Sequence, residues 1–341
     1  MFNKIYEFLK KILKRNYKGI IFLLCFFLVI SYPVPYYIFT SGGITDLSNR
    51  FAVDGGYDQE GSYNLSYVTE LEGNVLTYLA SFVMPSWDLV KVSGYQMSTN
   101  ESLEDLAMRD KLSLELANQT AVKVAYEKAG KLFKINDTKL YIVYVSEDIE
   151  ASSPIKVGDI LNKINGEEIE DFSQLSSYID SMKFDDIITF ELKRGDDTVV
   201  SEVKIRDVDG VKETGIGLYL IYDYEVDPAI KFNFSNKESG SSAGFMTTLA
   251  IYDTLIEEDL THGLKIAGTG TIDRNGTVGE IGGVKYKLKG AVSASSDIFF
   301  VPIGDNYNEC IKIKEERNYD IDIVAVSSID DAINYLRNLK K

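Results

Sequence analysis

The chain is poor in the residues on which several chemistries depend. It has two cysteines, Cys25 and Cys310, in 341 residues, too few for a disulfide framework or a four-thiolate zinc site. It has one histidine, His262, so mechanisms that need two are excluded, HExxH-type metalloproteases among them. A Ser-His or Cys-His pair would have to use that residue. Positive charge is also scarce. Against 52 Asp and Glu stand 36 Lys and Arg, a net of −16, which argues against a basic face for nucleic acid. No GxxxxGK[ST] run occurs, and no GxGxxG joins a strand to a helix, so no nucleotide is expected. No cluster has metal-ligand spacing, and neither a metal nor any other cofactor is expected.

What remains is ordinary globular composition, 45 % hydrophobic and 26 % charged, on a length that suits two or three domains. The charge is unevenly placed. Residues 1–18 hold Lys4, Lys10, Lys11, Lys14, Arg15 and Lys18 against Glu7, and the rest of the chain carries 30 basic and 51 acidic residues. A basic leader thus precedes an acidic body. From Gly19 the sequence reads GIIFLLCFFLVI and stays uncharged through Thr45. Residues 19–39 match the ~20 residues of a membrane helix. Pro33 and Pro35 place the end of the helix near Tyr32, with Tyr32, Tyr36 and Tyr37 as an interfacial belt. The expectation is a single-pass anchor with residues 1–18 in the cytoplasm and the body outside the cell. A cleaved signal peptide is the rival, and SYPVPYY lacks its small-x-small cleavage pattern.

Residues 40–126 are the least marked part of the body. Ser62–Thr69 and Asn74–Ala80 read as strands or short apolar segments, and Glu101–Tyr126 as a helix. Residues 127–207 are more regular. Leu140–Val145 is a strand, Val157–Leu161 leads to Ile164-Asn165-Gly166 as a strand pair with an Asn-Gly turn, and Asp171 caps a helix reaching Met182. Strands at 187–193 and 198–205 flank the turn Arg194-Gly195-Asp196-Asp197. In 210–341, strands near 230, 264, 298 and 321 alternate with helices starting near Ser241, Gly283, Tyr307 and Ser328, an α/β or α+β pattern.

Two segments carry chemistry. In Gly240-Ser241-Ser242-Ala243-Gly244 a serine opens a helix, either as a cap or as a nucleophile beside helix N–H groups. In Gly268-Thr269-Gly270, followed by Gly279-Glu280-Ile281-Gly282-Gly283-Val284-Lys285-Tyr286-Lys287, a glycine-rich run leads into a lysine-bearing helix.

Residues 127–207, with Ser153-Pro154, Gly158-Asp159-Ile160 and Ile164-Asn165-Gly166, resemble a bacterial protease-associated PDZ domain. Asp185-Asp186 stands where many relatives have Gly-Asp. The resemblance implies a peptide groove between the 140–145 strand and the 172–182 helix, lined by Tyr141, Ile142, Val143, Leu175 and Tyr178, which takes an extended peptide as an added strand. The two segments in 210–341 resemble the proteolytic domain of Lon-type serine peptidases. That resemblance implies Ser242 as nucleophile, Lys287 as base through its GG-x-x-x-K spacing, and Thr269, Ala243 and Gly244 in support. Ser241 stands where cytoplasmic relatives have proline.

The whole chain resembles membrane-anchored, PDZ-containing Lon-like peptidases of Gram-positive bacteria, with an α+β fold. This implies an ATP-independent Ser-Lys endopeptidase outside the cell membrane, acting on peptides or unstructured segments, a signalling peptide among the candidates. A homo-oligomer is compatible with this reading. A catalytically silent peptide-binding adaptor and a general envelope quality-control protease are the alternatives. Only 32 residues separate Gly210 from Ser242, so strands from 62–80 are expected to complete the catalytic sheet, with the PDZ unit as an insertion.

Overall fold

The structure, a computed structural model, describes residues 2–94, 96–97, 101–233 and 238–339, with the side chains of residues 2–5, 7–9, 12 and 13 outside that description. Asn236 and Lys237, which precede the serine segment, also lie outside it. Two compact units divide the chain, residues 1–40 with 69–95, and residues 41–68 with 96–341. The first elements in chain order are α1 (Phe2–Ile30), β1 (Pro33–Asp46), β2 (Phe51–Val53), β3 (Ser62–Asn74), α2 (Val75–Ser81) and β4 (Asp88–Lys91).

In the first unit, β1 pairs antiparallel with β4 from Tyr36↔Lys91 to Phe39↔Asp88. The expected membrane segment 19–39 is therefore divided between a helix and a strand. Among the described residues no helix is long and apolar enough to cross a membrane. The uncharged part of α1, Gly19–Ile30, spans about 18 Å at 1.5 Å per residue, against a hydrocarbon core of about 30 Å. Pro33 and Pro35 are poor helix residues that lack a backbone donor, and the chain continues as β1 instead. Residues 75–81 are helical, not a strand. Asn74 Oδ1 accepts from Thr77 N–H and Thr77 Oγ1 accepts from Asn74 N–H, each at 2.9 Å, a reciprocal cap that starts α2.

The second unit begins its helical frame with α3 (Leu103–Lys128), capped by the same reciprocal arrangement between Ser102 and Asp105. Then follow β5 (Leu132–Val145), β6 (Ile160–Ile164), β7 (Glu167–Glu168), α4 (Phe172–Ser181), β8 (Ile187–Arg194), β9 (Asp197–Lys204), β10 (Arg206–Val208), β11 (Val211–Glu213) and β12 (Ile216–Asp227). Their main sheet has the order β12–β5–β6–β8–β9, with β7 on β6. Strand β12 comes from the segment assigned by sequence to the peptidase, yet it pairs antiparallel along β5 from Ile216↔Val145 to Asp227↔Leu132. The Gly-Asp motif has a structural basis here. The Asp159 carboxylate, 1 % exposed, takes Arg194 Nε and Nη2 at 2.7 Å each and the Lys156 N–H at 2.8 Å. This paired fork is the geometry in which a buried carboxylate is best satisfied.

The remaining elements are β13 (Ile230–Phe232), α5 (Gly244–Leu255), β14 (Lys265–Gly268), β15 (Thr271–Ile272), β16 (Val278–Gly279), α6 (Val284–Ser293), β17 (Ile298–Pro302), α7 (Asp305–Arg317), β18 (Asp322–Val326) and α8 (Ile329–Arg337). Strands β18, β17 and β14 are parallel neighbours, and β14 also pairs parallel with β3 from Lys265↔Ser62 to Gly268↔Leu65. The run Ile298–Pro302 is buried throughout because both faces are covered. Ile266, Ile298 and Phe300 join the core with α3, α5 and α8, whereas Ala267, Phe299 and Val301 pack with α6 and α7. That alternation is the two-residue period of a strand, and it makes this part a three-layer α/β domain.

Asp159→Asn is expected to lower the stability of the β5–β12 sheet by about 2 kcal/mol, because it removes a charge-assisted pair from a buried site. The shift in the urea midpoint, followed by amide exchange of β6 and β8, measures it.

Candidate active site

The glycine-bounded turn at residues 240–244 sets the serine position. Gly240 has φ 89°, the left-handed side that an L side chain rarely adopts. Residues Ser241–Ala243 form a short 3-10 turn that runs into α5. Gly244 permits close packing, since a Cβ there would sit 2.8 Å from Ile272 Cγ2. The turn is pinned to the glycine-rich strand. Gly270 N–H donates to Ser242 O and Phe245 N–H to Gly270 O, each at 3.1 Å. Thr269 N–H donates to Phe300 O at 3.1 Å, which ties the same segment to β17.

Helix α6 brings the lysine from the other side. Its Val284, Leu288 and Ala291 are buried in one core cluster. Lys287 is 4 % exposed, while Lys285 is exposed with its Nζ 4.9 Å from the Tyr286 ring. Lys287 Nζ lies 2.9 Å from Ser242 Oγ and 3.1 Å from Thr269 Oγ1. Thr269 Oγ1 in turn lies 3.4 Å from Ser242 O. Burial lowers the Lys287 pKa to about 8, because a charge removed from water without a counter-charge is disfavoured. At that value about one amine in five is neutral near pH 7.4, against about one in a thousand for an ordinary lysine.

Ser242, Lys287 and Thr269 thus meet at one point, with Ala243 buried behind them and Gly244 opening α5. Ser241 is exposed. His262 is engaged elsewhere, with its Nε2 2.9 Å from Leu336 O. The residues expected in the peptide groove are placed differently. Tyr141, Ile142 and Val143 lie in β5, which has β12 on one side and β6 on the other, with Tyr141 paired to both Tyr219 and Ile160. An interior strand has no free edge for an added peptide. Ile142 and Leu175 are buried in the sheet's own core and Tyr178 packs on it, while Val143 packs with Leu112 and Ile221. Sequence reasoning missed strand β12 itself, although the alternation of Leu218, Leu220 and Tyr222 behind Gly215-Ile216-Gly217 was a readable strand signal.

Comparison with known proteins finds two families along the chain. Residues 122–205 match the PDZ domain family, and residues 235–338 match the Lon protease (S16) C-terminal proteolytic domain. The chain carries a PDZ domain and a Lon-type proteolytic domain. It is 30 % identical over 120 residues to Lon protease 2 of Borreliella burgdorferi, covering 34 % of this chain and 15 % of that protein. It is 34 % identical over 104 residues to Lon protease of Campylobacter concisus, covering 30 % of this chain and 13 % of that one. The chain therefore spans only a small part of the length of these relatives. Among solved structures, the PDZ domain of the SdrC-like protein from Listeria monocytogenes is 26 % identical, with a TM-score of 0.23, covering 25 % of this chain and 92 % of that one. Together the PDZ and Lon-type domains fit the binding of peptide or protein substrates.

The lysine has a stability consequence with a definite sign. Its folded pKa of about 8 lies below the ordinary 10.5, so the unfolded chain binds the proton more tightly. The destabilisation is complete below pH 8 and is relieved as pH rises from about 8 to 10.5. Lys287→Met is therefore expected to be more stable than wild type by roughly 2–3 kcal/mol at pH 7. Urea unfolding at pH 7 and pH 10 should show the advantage shrinking at the higher pH.

Proposed function

We propose that this chain is a membrane-tethered, extracytoplasmic serine endopeptidase that hydrolyses short or unstructured peptide segments without ATP, with Ser242 as nucleophile and Lys287 as general base. The observation that carries this reading is the 2.9 Å contact between Ser242 Oγ and a buried lysine whose pKa is lowered to about 8. Neutral Lys287 Nζ accepts the Ser242 hydroxyl proton as Oγ attacks the carbonyl carbon. The Thr269 hydroxyl holds Nζ in line. The oxyanion forms at the start of α5. There Gly244 N–H is taken by Ser241 O and Phe245 N–H by Gly270 O, which leaves Ser242 and Ala243 N–H, among the described residues, to meet it. Protonated Lys287 then passes its proton to the leaving amine. A water molecule, deprotonated by the same amine, hydrolyses the acyl-enzyme and restores Ser242.

The absence of a P-loop from the sequence supports substrates that need no unfolding, and a signalling peptide fits that class. The tether is supported by exposed apolar residues in the first unit. Ile21, Phe22, Leu24, Phe26, Leu28 and Val29 of α1 are exposed. So are Leu76, Leu79, Phe82, Val83 and Met84, within a 15-residue uncharged run from Gly73 to Trp87. Val75 N–H donates to Tyr32 O at 3.1 Å, so α2 starts where α1 ends. The basic residues of 1–18 support a cytoplasmic position for that end by the charge rule.

Ser242→Ala is expected to abolish both cleavage of an unstructured protein and labelling by a fluorophosphonate, whereas Ser241→Ala keeps most of both. Lys287→Arg is expected to be inactive, since a guanidinium stays protonated at any usable pH. For wild type, kcat/KM should climb with pH through about 8 as neutral Lys287 accumulates. A profile that falls across this range in the folded protein would remove the lysine from the base role.

Trp87 is the one tryptophan of the chain and reports on the tether. In vesicles, brominated lipid should quench its fluorescence, and Phe82→Asp with Val83→Asp should weaken that quenching several-fold. Unquenched Trp87 in membrane-bound protein would remove the 73–87 run from the lipid surface.

A further inference from the structure

Ser66 of β3 is 1 % exposed, and its hydroxyl has no hydrogen-bond partner among the described residues. A buried polar group left unsatisfied carries the full cost of its desolvation, so such a hydroxyl calls for a state of the protein in which it is used. Its place in the sheet says which state. Strands β3 and β14 are parallel, with Leu65 opposite Gly268. Ser66 and Thr269 follow these two residues on neighbouring strands, which lie ~4.8 Å apart.

Both hydroxyls are on the face covered by α6. Thr269 Oγ1 is 3.1 Å from Lys287 Nζ, which fixes the face for β14. For β3 the face is fixed by Val68, two residues on and therefore on the same side as Ser66. Val68 Cγ2 lies 3.1 Å from the position a Cβ would take on Gly283. Gly283 stands one turn before Lys287 on the same stripe of the helix. Because β14 and β17 are parallel, α6 between them runs back against the strands. One helical turn covers ~5.4 Å and two strand residues cover ~6.6 Å. The step from Gly283 to Lys287 thus matches the step back from Val68 to Ser66, and Lys287 comes to lie over Ser66 and Thr269.

The chemistry of the amine supplies the use. Neutral Lys287 has two N–H groups and a lone pair, whereas the ammonium has three donors and no acceptor. Two hydroxyls are already beside Nζ, those of Ser242 and Thr269. Once Ser242 Oγ is bonded to the acyl carbon it accepts a hydrogen bond poorly, so the amine loses a partner as it gains a proton. Burial is the only cause of the lowered Lys287 pKa. Among the described residues, then, no charged group on β3, β14, α6 or the serine turn compensates the ammonium.

We propose that Ser66 is a positioning residue of the peptidase centre: its Oγ accepts an N–H, directly or across one water, from the ammonium that Lys287 becomes on taking the Ser242 proton. The hydroxyl is idle beside the neutral amine and engaged beside the charged one. It therefore favours the form that the reaction creates. Ser66 acts through Lys287 and touches no substrate. The inference rests on the reading of Lys287 as general base.

The test follows the Lys287 amine in the full chain by NMR titration of the lysine Nζ, with the signal assigned by its loss in Lys287→Met. Ser66→Ala is expected to lower the pKa by about 1, because the charged form loses an acceptor and the neutral form loses nothing. Ser66→Cys keeps the volume with a weak sulfur acceptor and should move it the same way. The rate of fluorophosphonate labelling against pH should show its rising limb displaced downward to match, with the plateau about ten-fold lower. At pH 10, where the amine is neutral, the urea midpoint of Ser66→Ala should be no lower than that of wild type. A Lys287 pKa unchanged or raised in Ser66→Ala would overturn the proposal, whatever the activity. Should Ser66→Ala not fold, Ser66→Cys carries the same criterion. Slower labelling with a lower urea midpoint and an unmoved limb would also overturn it and leave Ser66 a packing residue. A wild type that takes no label removes the peptidase reading, and the Nζ titration then decides Ser66 by itself.

Discussion

A lysine amine 2.9 Å from a serine hydroxyl, buried and without a carboxylate beside it, sets the terms for the rest of the peptidase domain. Burial is the only cause of its lowered pKa, so the apolar surroundings must be complete. A single Asp or Glu facing Nζ would stabilise the ammonium and return the amine to its ordinary range. The fold meets this requirement by placing Lys287 on the face of α6 that also carries Val284 and Ala291, one turn to either side. Its hydrogen-bond partners are neutral hydroxyls, Ser242 and Thr269. These satisfy the amine without holding its proton. The cost in stability is carried by the extensive core around Phe245, Phe299 and Phe300.

That core depends on a strand that arrives early in the chain. Strand β14 carries the Gly268-Thr269-Gly270 turn and has β17 on one side. Its other side is filled by residues 62–65 of β3, roughly two hundred residues earlier. The long excursion between them closes locally, because β13 returns to pair with β2 from Ile230↔Val53 to Phe232↔Phe51. The PDZ domain is thereby inserted between two neighbouring strands. This explains why the segment from 210 to 242 looked too short to build the sheet alone.

The parts of this arrangement that were legible in sequence are those fixed by local chemistry. The 240–244 turn needs glycine where φ is positive, and the helix after Gly282-Gly283 follows a short-range rule. The choice of Lys287 over Lys285 came instead from the spacing that the resemblance to Lon-type peptidases implies, and the structure places them respectively against Ser242 and over the Tyr286 ring. Less legible were features that depend on distant partners. Residues 216–227 alternate like a strand, but nothing local says that they pair with 132–145 and turn β5 into an interior strand. Hydropathy summed over 19–39 also cannot see that the chain is helical to Ile30 and extended from Pro33. At 74–80 the apolar content suggested a strand or a short apolar segment, and the reciprocal Asn74–Thr77 cap decided for a helix.

Helix α3 changes what the PDZ domain can be expected to do. Its C-terminal half, with Ala121, Val122, Val124 and Ala125, is buried in the core of the Lon-type domain. Its N-terminal half packs Leu112 and Leu116 against Val143, Tyr141 and Ile221 of the PDZ sheet. The PDZ family match begins at residue 122, inside this helix, so the sequence boundary does not mark a mechanical one. A helix with one half in each core holds the two domains in register, and a loosely tethered substrate-fishing module would be joined by a flexible linker. Ala117, midway along α3, lies within 3.6 Å of the position a Cβ would take on Gly244 at the start of α5. Gln119 of the same helix accepts from the outward Tyr222 N–H of β12 at 3.1 Å, so the element that closes that edge of the PDZ sheet is also the one that backs the serine turn, and the sheet and the turn share one fixed frame.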